Sequence, residues 1–295
     1  MMQTEKIFLF LSRFFIFAAA AVPLFWSSNF FFPYTFTKTF LFRASVELAF
    51  LFWLPLAVSP PARFYGGQQR PETGRLGAIK TLLAQFRFSR IMTVLLALFA
   101  LGWVAAIFSP NFRGSFWSDY ERMMGLLTYS HFIAFVAIAI SVFREQRWWE
   151  RVFLFSLGIS GLIALYGIWQ KIFLGVGRIE STFGNAAFLA SYLLIHIFIA
   201  LVMVMRERKI NLKSVSITAV LFINFLALLF TGTRGALTGF AAGSVLFLVL
   251  LARKNGEKND ALFSFSRERV TKFSRVLLGL CAAGVVLFLF FRENL

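Results

Sequence analysis

Two arginines in short connections between apolar segments are the residues best suited to chemistry in this chain. Arg178 begins the segment Arg-Ile-Glu-Ser-Thr-Phe-Gly-Asn, which ends at Asn185. Arg234 closes the turn Thr-Gly-Thr-Arg, which lies between two long apolar segments. A guanidinium offers paired N–H donors that match phosphate oxygens, so two of them would suit a diphosphate.

The residues around both arginines predict helix starts beside them. Gly184 allows a tight turn and Asn185 is a favoured N-cap, so a helix should begin directly after it. Flanking glycines shorten the second turn, which puts Arg234 at the mouth of a bundle. Helix N-termini favour anions through unpaired N–H groups and the helix dipole. Two ordinary explanations stay open: Asn185 is a simple cap with Arg178 paired to Glu180, and Arg234 reaches for lipid headgroups.

A third polar segment, residues 115–125, reads Ser-Phe-Trp-Ser-Asp-Tyr-Glu-Arg-Met-Met-Gly. Its aromatic residues suit the membrane–water interface. The charged residues define a possible additional site on the same outer face, and the alternative is an aromatic belt with an exposed ion pair. The candidates for this additional site are Asp119, Glu121, Arg122 and Lys171.

Other reactive residue types are few. The two histidines, His131 and His196, fall inside apolar segments, and no spacing of His, Asp and Glu suggests a metal site. Cys281 is the only cysteine, so it has no intrachain disulfide partner. Glu47 follows Arg43 by one helical turn, and a local pair between them is the simplest explanation. We therefore expect neither a metal ion nor any other cofactor.

These residues lie in a chain of 295 residues that is 59% hydrophobic and contains 41 phenylalanines. A soluble core of this size cannot bury so much apolar surface. The apolar residues also form blocks of about 20, the length that spans a bilayer. We predict an all-α, polytopic transmembrane bundle of about nine spans, forming a single membrane domain over residues 1–295. The predicted spans are 7–26, 39–58, 91–108, 123–143, 151–170, 186–205, 214–231, 235–252 and 276–291.

Most of the basic residues that give the chain its net charge of +17 lie in the connections between these spans. Placing the N-terminus in the cytoplasm puts nineteen Lys and Arg residues in inner connections and six in outer ones, which is the bias expected of cytoplasmic loops. Basic residues scattered in this way do not form a nucleic-acid-binding face. The inner loop 59–90 combines helical apolar spacing with basic residues, which predicts a short helix on anionic membrane lipids. The C-terminus would then lie outside.

The motifs around Arg178 and Arg234 resemble those of the O-antigen ligase and O-antigen polymerase family. The matching stretches are Ser-Thr-Phe-Gly-Asn-Ala-Ala-Phe-Leu-Ala-Ser-Tyr-Leu-Leu after Arg178, and Thr-Gly-Thr-Arg-Gly-Ala-Leu-Thr-Gly around Arg234. The polar segment 115–125 is similar to the corresponding loop of bacterial members. The resemblance is best over residues 110–250.

This resemblance implies a protein of the bacterial inner membrane that acts in lipopolysaccharide or other cell-envelope polysaccharide biosynthesis. Family members transfer a glycan from undecaprenyl diphosphate to an acceptor glycan or lipid, without a metal ion or a nucleotide sugar. The resemblance assigns donor diphosphate binding to Arg178 and Arg234, with Asn185 beside them. It also implies a many-helix bundle with a large periplasmic loop late in the chain.

Ligase members of this family use a histidine of that late loop as the base. The present sequence ends at Leu295 before such a loop, and neither His131 nor His196 lies in a loop. We therefore expect this sequence to be part of a longer protein and to have little transferase activity alone. Two other functions stay open: a lipid-linked glycan flippase or transporter, with ionisable residues near the middle of the membrane, and a non-catalytic membrane scaffold.

Overall fold

The computed structural model describes residues 3–58, 90–207, 211–254 and 279. These residues are 83% helical and contain no strand, which confirms the all-α prediction. The chain divides into two compact units, Met1–Val152 and Phe153–Leu295, and each is described by itself. The single membrane domain over residues 1–295 stays a prediction.

The first unit contains five helices and the beginning of a sixth, among the residues that the structure describes. A 3-10 turn at Val22–Leu24 follows the first helix. The helices are α1 (Gln3–Ala21), α2 (Pro33–Val58), α3 (Arg90–Ile107), the short α4 (Phe112–Trp117), α5 (Leu126–Val142) and the start of α6 (Gln146–Phe173).

The second unit contains the rest of α6 and three further helices in its described part. A 3-10 turn at Ser181–Phe183 precedes the first of them. These helices are α7 (Ala186–Arg206), α8 (Leu212–Phe230) and α9 (Arg234–Lys254).

Five helices are long and apolar enough to cross a membrane, which gives the chain the character of a membrane protein. They are α1 with its following turn, α2, α6, α7 and α8, while α3, α5 and α9 are apolar but shorter. Eight predicted spans thus correspond to helices. The ninth, 276–291, lies outside the described residues except for residue 279, and the predicted surface helix of the 59–90 loop lies outside them too.

The predicted boundaries differ most at the start of α2, where the helix begins at Pro33 and not at residue 39. Proline suits the first helical position because its ring fixes φ and the missing N–H has no helical partner there. Hydropathy detects only the apolar part of a helix, so it missed this polar first turn.

The core of the first unit forms where α1 and α2 pack with α5. Ile16, Val46 and Ile138 are almost completely buried there. The Ser12 hydroxyl donates to the carbonyl of Ala49 across 3.1 Å, which satisfies its polar group inside the helix pair.

Arg13 interrupts the apolar sequence of α1, and its side chain binds the C-terminal end of another helix. Its Nε and Nη2 atoms donate to the carbonyl oxygen of Val142, at 3.1 and 2.8 Å, where α5 ends. Its guanidinium also lies 4.0 Å from the centre of the Trp148 ring. The last carbonyls of a helix have no intrahelical donor, so a cation at this position is stabilising.

The core of the second unit follows one face of α7. Leu189, Leu193, Ile197 and Leu201 recur at every fourth position and are completely buried. This spacing places them on one helical stripe.

Candidate functional site

The loop that carries Arg178 begins at the C-terminal end of α6. The Nζ atom of Lys171 donates to the carbonyls of Val176 and Gly177, at 3.1 and 2.7 Å. A cation near a helix C-terminus is also favoured by the helix dipole. Lys171 therefore holds the loop, and its suggested part in an additional outer-face site stays a prediction.

The middle of the loop is fixed against α6. Ile179 is completely buried beside Gly167, where an added Cβ would lie 2.9 Å from Ile179 Cδ1. The Ser181 N–H donates to Gln170 Oε1 at 2.8 Å, and its hydroxyl donates to the Ile163 carbonyl at 2.7 Å. Ser181 adopts a positive φ of 50°, which is uncommon for a residue with a side chain. The surrounding contacts hold it in this conformation.

Hydrogen bonds tie the same loop to the turn after α8. Arg178 Nε donates to the carbonyl of Thr231 at 2.8 Å, and Arg178 Nη2 donates to Thr233 Oγ1 at 3.1 Å. The N–H of Ile179 donates to the carbonyl of Phe230 at 3.2 Å. The motif around Arg178 and the motif that ends at Arg234 therefore form one assembly within the second unit.

Arg178 is oriented by this turn and not by the neighbouring carboxylate. In the described part of the chain, Arg178 forms no ion pair with Glu180, so the alternative pairing is wrong. A guanidinium has five N–H donors, and those beyond the two bonds to the turn have no partner among the described residues. The exposed Arg178 side chain is thus fixed in place with donors still available.

Arg234 directly follows the threonine that Arg178 contacts, and α9 begins there. The Thr233 carbonyl accepts from the N–H groups of Ala236 and Leu237, at 3.1 and 3.2 Å, which starts the helix. Within the described ranges the exposed Arg234 side chain has no hydrogen-bond or ion-pair partner. A Cβ added at Gly235, the next residue, would meet no atom within 4 Å.

Asn185 is the N-cap of α7, as predicted. Its side-chain oxygen accepts from the N–H groups of Ala187 and Phe188, at 2.8 and 3.4 Å. Because the cap occupies these donors, the start of α7 offers less to an anion than an uncapped helix would. The expected contribution of Asn185 to donor binding stays a prediction.

The polar segment 115–125 belongs to the first unit; it begins with the last residues of α4 and continues into a turn around residues 119–123. Asp119 Oδ1 accepts from the N–H of Arg122 at 2.9 Å, and the carbonyl of Asp119 accepts from the N–H of Met123 at the same distance. Asp119, Glu121 and Arg122 are exposed. The carboxylate of Asp119 thus stabilises the backbone of the turn, and an outer-face site on these residues stays a prediction.

A polar contact between α2 and α5 was not predicted from the sequence. Glu47 Oε1 lies 3.0 Å from His131 Nε2, whereas Arg43 donates to Thr128 Oγ1 and to the carbonyl of Met123. Arg43 and Glu47 interact electrostatically one turn apart on α2, as predicted, but in the described part of the chain they form no hydrogen bond or ion pair with each other. Both side chains instead form their hydrogen bonds with α5 and the segment before it.

A second set of missed contacts joins α6 to the two helices that follow. Ser156 Oγ lies 2.8 Å from His196 Nε2, and His196 Nδ1 lies 2.8 Å from the carbonyl of Tyr192. Asn224 Nδ2 donates to Ser160 Oγ at 2.9 Å. Such interhelical bonds are typical of membrane bundles, and the serines four residues apart on α6 gave only a weak signal for them.

Comparisons of the chain with models of protein families, with curated proteins and with solved structures find no match.

Proposed function

We propose that this protein is a membrane glycan-transfer protein of the O-antigen ligase and polymerase type. It would move a glycan from a polyprenyl-diphosphate donor to an acceptor glycan or lipid. The observation that carries the proposal is the bond of Arg178 to the turn that ends at Arg234. The motif resemblance set out above supports the same function.

Glycan transfer from a diphosphate donor requires cations near the diphosphate leaving group. Negative charge develops on the diphosphate oxygens as the bond to the sugar breaks, and donors already in place stabilise that charge. Arg178 supplies a guanidinium whose orientation is set before the donor binds. Arg234 supplies a guanidinium, without a partner among the described residues, at the positive end of α9. Together they would perform the electrostatic task for which many phosphoryl-binding sites use a divalent cation.

The proposed location is the bacterial inner membrane, with the assembly of Arg178 and Arg234 on the periplasmic side. The charge bias of the connections supports this orientation, because the inner ones hold nineteen Lys and Arg residues and the outer ones six. Undecaprenyl-linked glycans are used on that side of the membrane in the family that the motifs resemble.

Binding of undecaprenyl diphosphate to the chain in lipid nanodiscs tests the proposal. Arg234→Ala should weaken binding by about tenfold or more, because a charge-assisted hydrogen bond is lost. Arg234→Lys should recover only part of it, since an ammonium lacks the two-donor fork. The matched control is Arg113→Ala, which removes another exposed arginine of a predicted outer connection. Equal binding by wild type and Arg234→Ala would reject the proposal.

A lipid-linked glycan transporter is the second candidate, and one observation favours it. The contact between Glu47 and His131 puts ionisable groups well inside the predicted second and fourth spans. Transporters place such groups on substrate and ion pathways. Proteoliposomes that hold the full-length protein, a lipid-linked glycan and an acceptor separate the two functions, because transfer makes a new glycosidic bond and transport does not.

A further inference from the structure

The contact between Glu47 on α2 and His131 on α5 has a geometry that fixes where its protons are. Glu47 Oε1 lies 3.0 Å from His131 Nε2, and His131 Nδ1 lies 2.7 Å from the carbonyl oxygen of Leu127. The His131 side chain is 11% exposed and the Glu47 side chain is 67% exposed. One partner is therefore enclosed by the unit while the other lies at its surface.

A carbonyl oxygen can only accept, so His131 Nδ1 must carry a hydrogen. In a neutral ring Nε2 then has a lone pair and no hydrogen. Two acceptors facing each other across 3.0 Å would repel, so one further proton must lie between Nε2 and the Glu47 carboxylate. It belongs either to a Glu47 carboxylic acid beside a neutral ring or to an imidazolium beside a carboxylate.

The position of Glu47 along α2 explains why this proton matters for the stability of the pair. Glu47 is fourteen residues after Pro33 and eleven before Val58. At about 1.5 Å per residue, it lies roughly 21 and 16 Å from the two ends of the helix. This helix is among those long and apolar enough to cross a membrane. A bare carboxylate at that depth is unfavourable, so the shared proton stabilises the pair.

Among the charged groups of these helices, Arg43 is the cation closest along the helix to the pair of Glu47 and His131. Arg43 precedes Glu47 by one turn of α2 and donates to Thr128 Oγ1 and the Met123 carbonyl. On α1, Arg13 is bound to the end of α5, while Glu5 and Lys6 lie in the first turn. The described side chains of α3 carry no charge, and α5 adds only the phenol of Tyr129.

We infer that Glu47 and His131 form a proton-binding site within the membrane-spanning part of the first unit. Binding places one proton between Oε1 and Nε2. Release sends that proton to water and leaves a carboxylate facing a lone pair, so the exposed Glu47 side chain must turn away from His131. Arg43, one turn earlier on the same helix, is then its nearest ionic partner. This site is independent of the proposed glycan transfer.

A plain structural hydrogen bond between α2 and α5 is the competing explanation, and Glu47→Gln separates the two. The glutamine amide can donate to the lone pair of Nε2 and so keeps a link between the helices. It cannot release a proton to form a carboxylate. A purely structural bond would survive this change, while proton binding would be lost.

The experiment is nitrogen-15 NMR of the full chain in lipid bilayers with labelled histidine rings, combined with infrared spectra of carboxyl groups. The chain has two histidines, so the signals are assigned with His131→Gln or, if that variant misfolds, with His196→Gln. Spectra are compared between about pH 5 and about pH 8, the range in which histidine sites titrate. Glu145→Gln, which changes an exposed carboxylate of the same unit, is the matched control.

We expect a single bound proton, seen either as an imidazolium at His131 or as a protonated carboxyl band from Glu47. Whichever of these two signals the wild type shows should disappear in Glu47→Gln and persist in Glu145→Gln. An ionised carboxylate beside a neutral His131 throughout the range would overturn the inference. So would an imidazolium at His131 that forms over the same pH range in wild type and in Glu47→Gln. The wild-type ring spectrum and carboxyl band already report the proton, so a misfolded variant does not remove the test.

Discussion

Arg178 donates its Nε hydrogen to the carbonyl oxygen of Thr231 across 2.8 Å and thereby joins two connections that are 53 residues apart in the sequence. The same guanidinium contacts the hydroxyl of Thr233. The orientation of Arg178 thus depends on the turn that leads into α9.

Replacement of Thr233 should weaken diphosphate binding without removing either arginine. Thr233→Val deletes the hydroxyl that accepts from Arg178 and lies 3.4 Å from the Ala186 carbonyl. A net hydrogen bond contributes about 1 kcal/mol, so we expect roughly a fivefold loss of affinity for undecaprenyl diphosphate. Thr233→Ser keeps the hydroxyl and should bind like wild type. Equal affinities for the Val and Ser variants would show that this bond does not orient Arg178.

Two glycines of α6 give a matched test of loop packing. Gly167 faces the buried Ile179, whereas a Cβ at Gly158 would meet no atom within 4 Å. Overpacking costs about 1–3 kcal/mol, so Gly167→Val should lower the apparent Tm in detergent while Gly158→Val changes it little. The same Tm for both variants would argue against the packing of the loop on α6.

Removal of the Lys171 ammonium should make the loop after α6 less ordered. Lys171→Met keeps the length of the side chain but removes the donors to Val176 and Gly177. Two bonds of about 1 kcal/mol each are lost, so we expect roughly thirtyfold faster hydrogen–deuterium exchange in residues 174–183. Exchange in α8 is the internal reference and should stay the same. Unchanged exchange in the loop, combined with weaker donor binding, would instead favour a direct contact between Lys171 and the donor.

Reporter fusions should place the connections on alternating sides of the membrane. Fusions at residues 70, 145, 210 and 260 should report the cytoplasm, and fusions at residues 115, 178 and 233 should report the opposite side, because basic residues concentrate in the first group. A reporter at 178 that disagreed in side with one at 233 would contradict the shared assembly of Arg178 and Arg234.

Local sequence patterns predicted the elements of this fold well. Apolar blocks marked the long helices, and the Gly-Asn pair before Ala186 marked the start of α7, because hydropathy and capping depend on residues close in sequence. The polar start of α2 at Pro33 lay beyond what an apolar block can show.

Tertiary polar contacts were beyond prediction for a physical reason. Arg178 had a carboxylate two residues away and Glu47 had an arginine one turn away, so local pairing was an open alternative for Arg178 and the simplest explanation for Glu47. The folded chain instead gives them Thr231 and His131, the second across 84 positions. Such choices depend on helix packing, which a single sequence does not specify at the level of individual side chains.

The central claim is that Arg178 and Arg234 bind one donor diphosphate together. The most direct measurement compares affinities for undecaprenyl diphosphate and undecaprenyl monophosphate in wild type, Arg178→Ala, Arg234→Ala and the double variant, all in the same nanodiscs. Each charge-assisted bond contributes about 1.5–3 kcal/mol, so the wild type should prefer the diphosphate by about tenfold or more. Each single variant should lose most of that preference, and the double variant should show none. A preference that survives both substitutions would contradict the account.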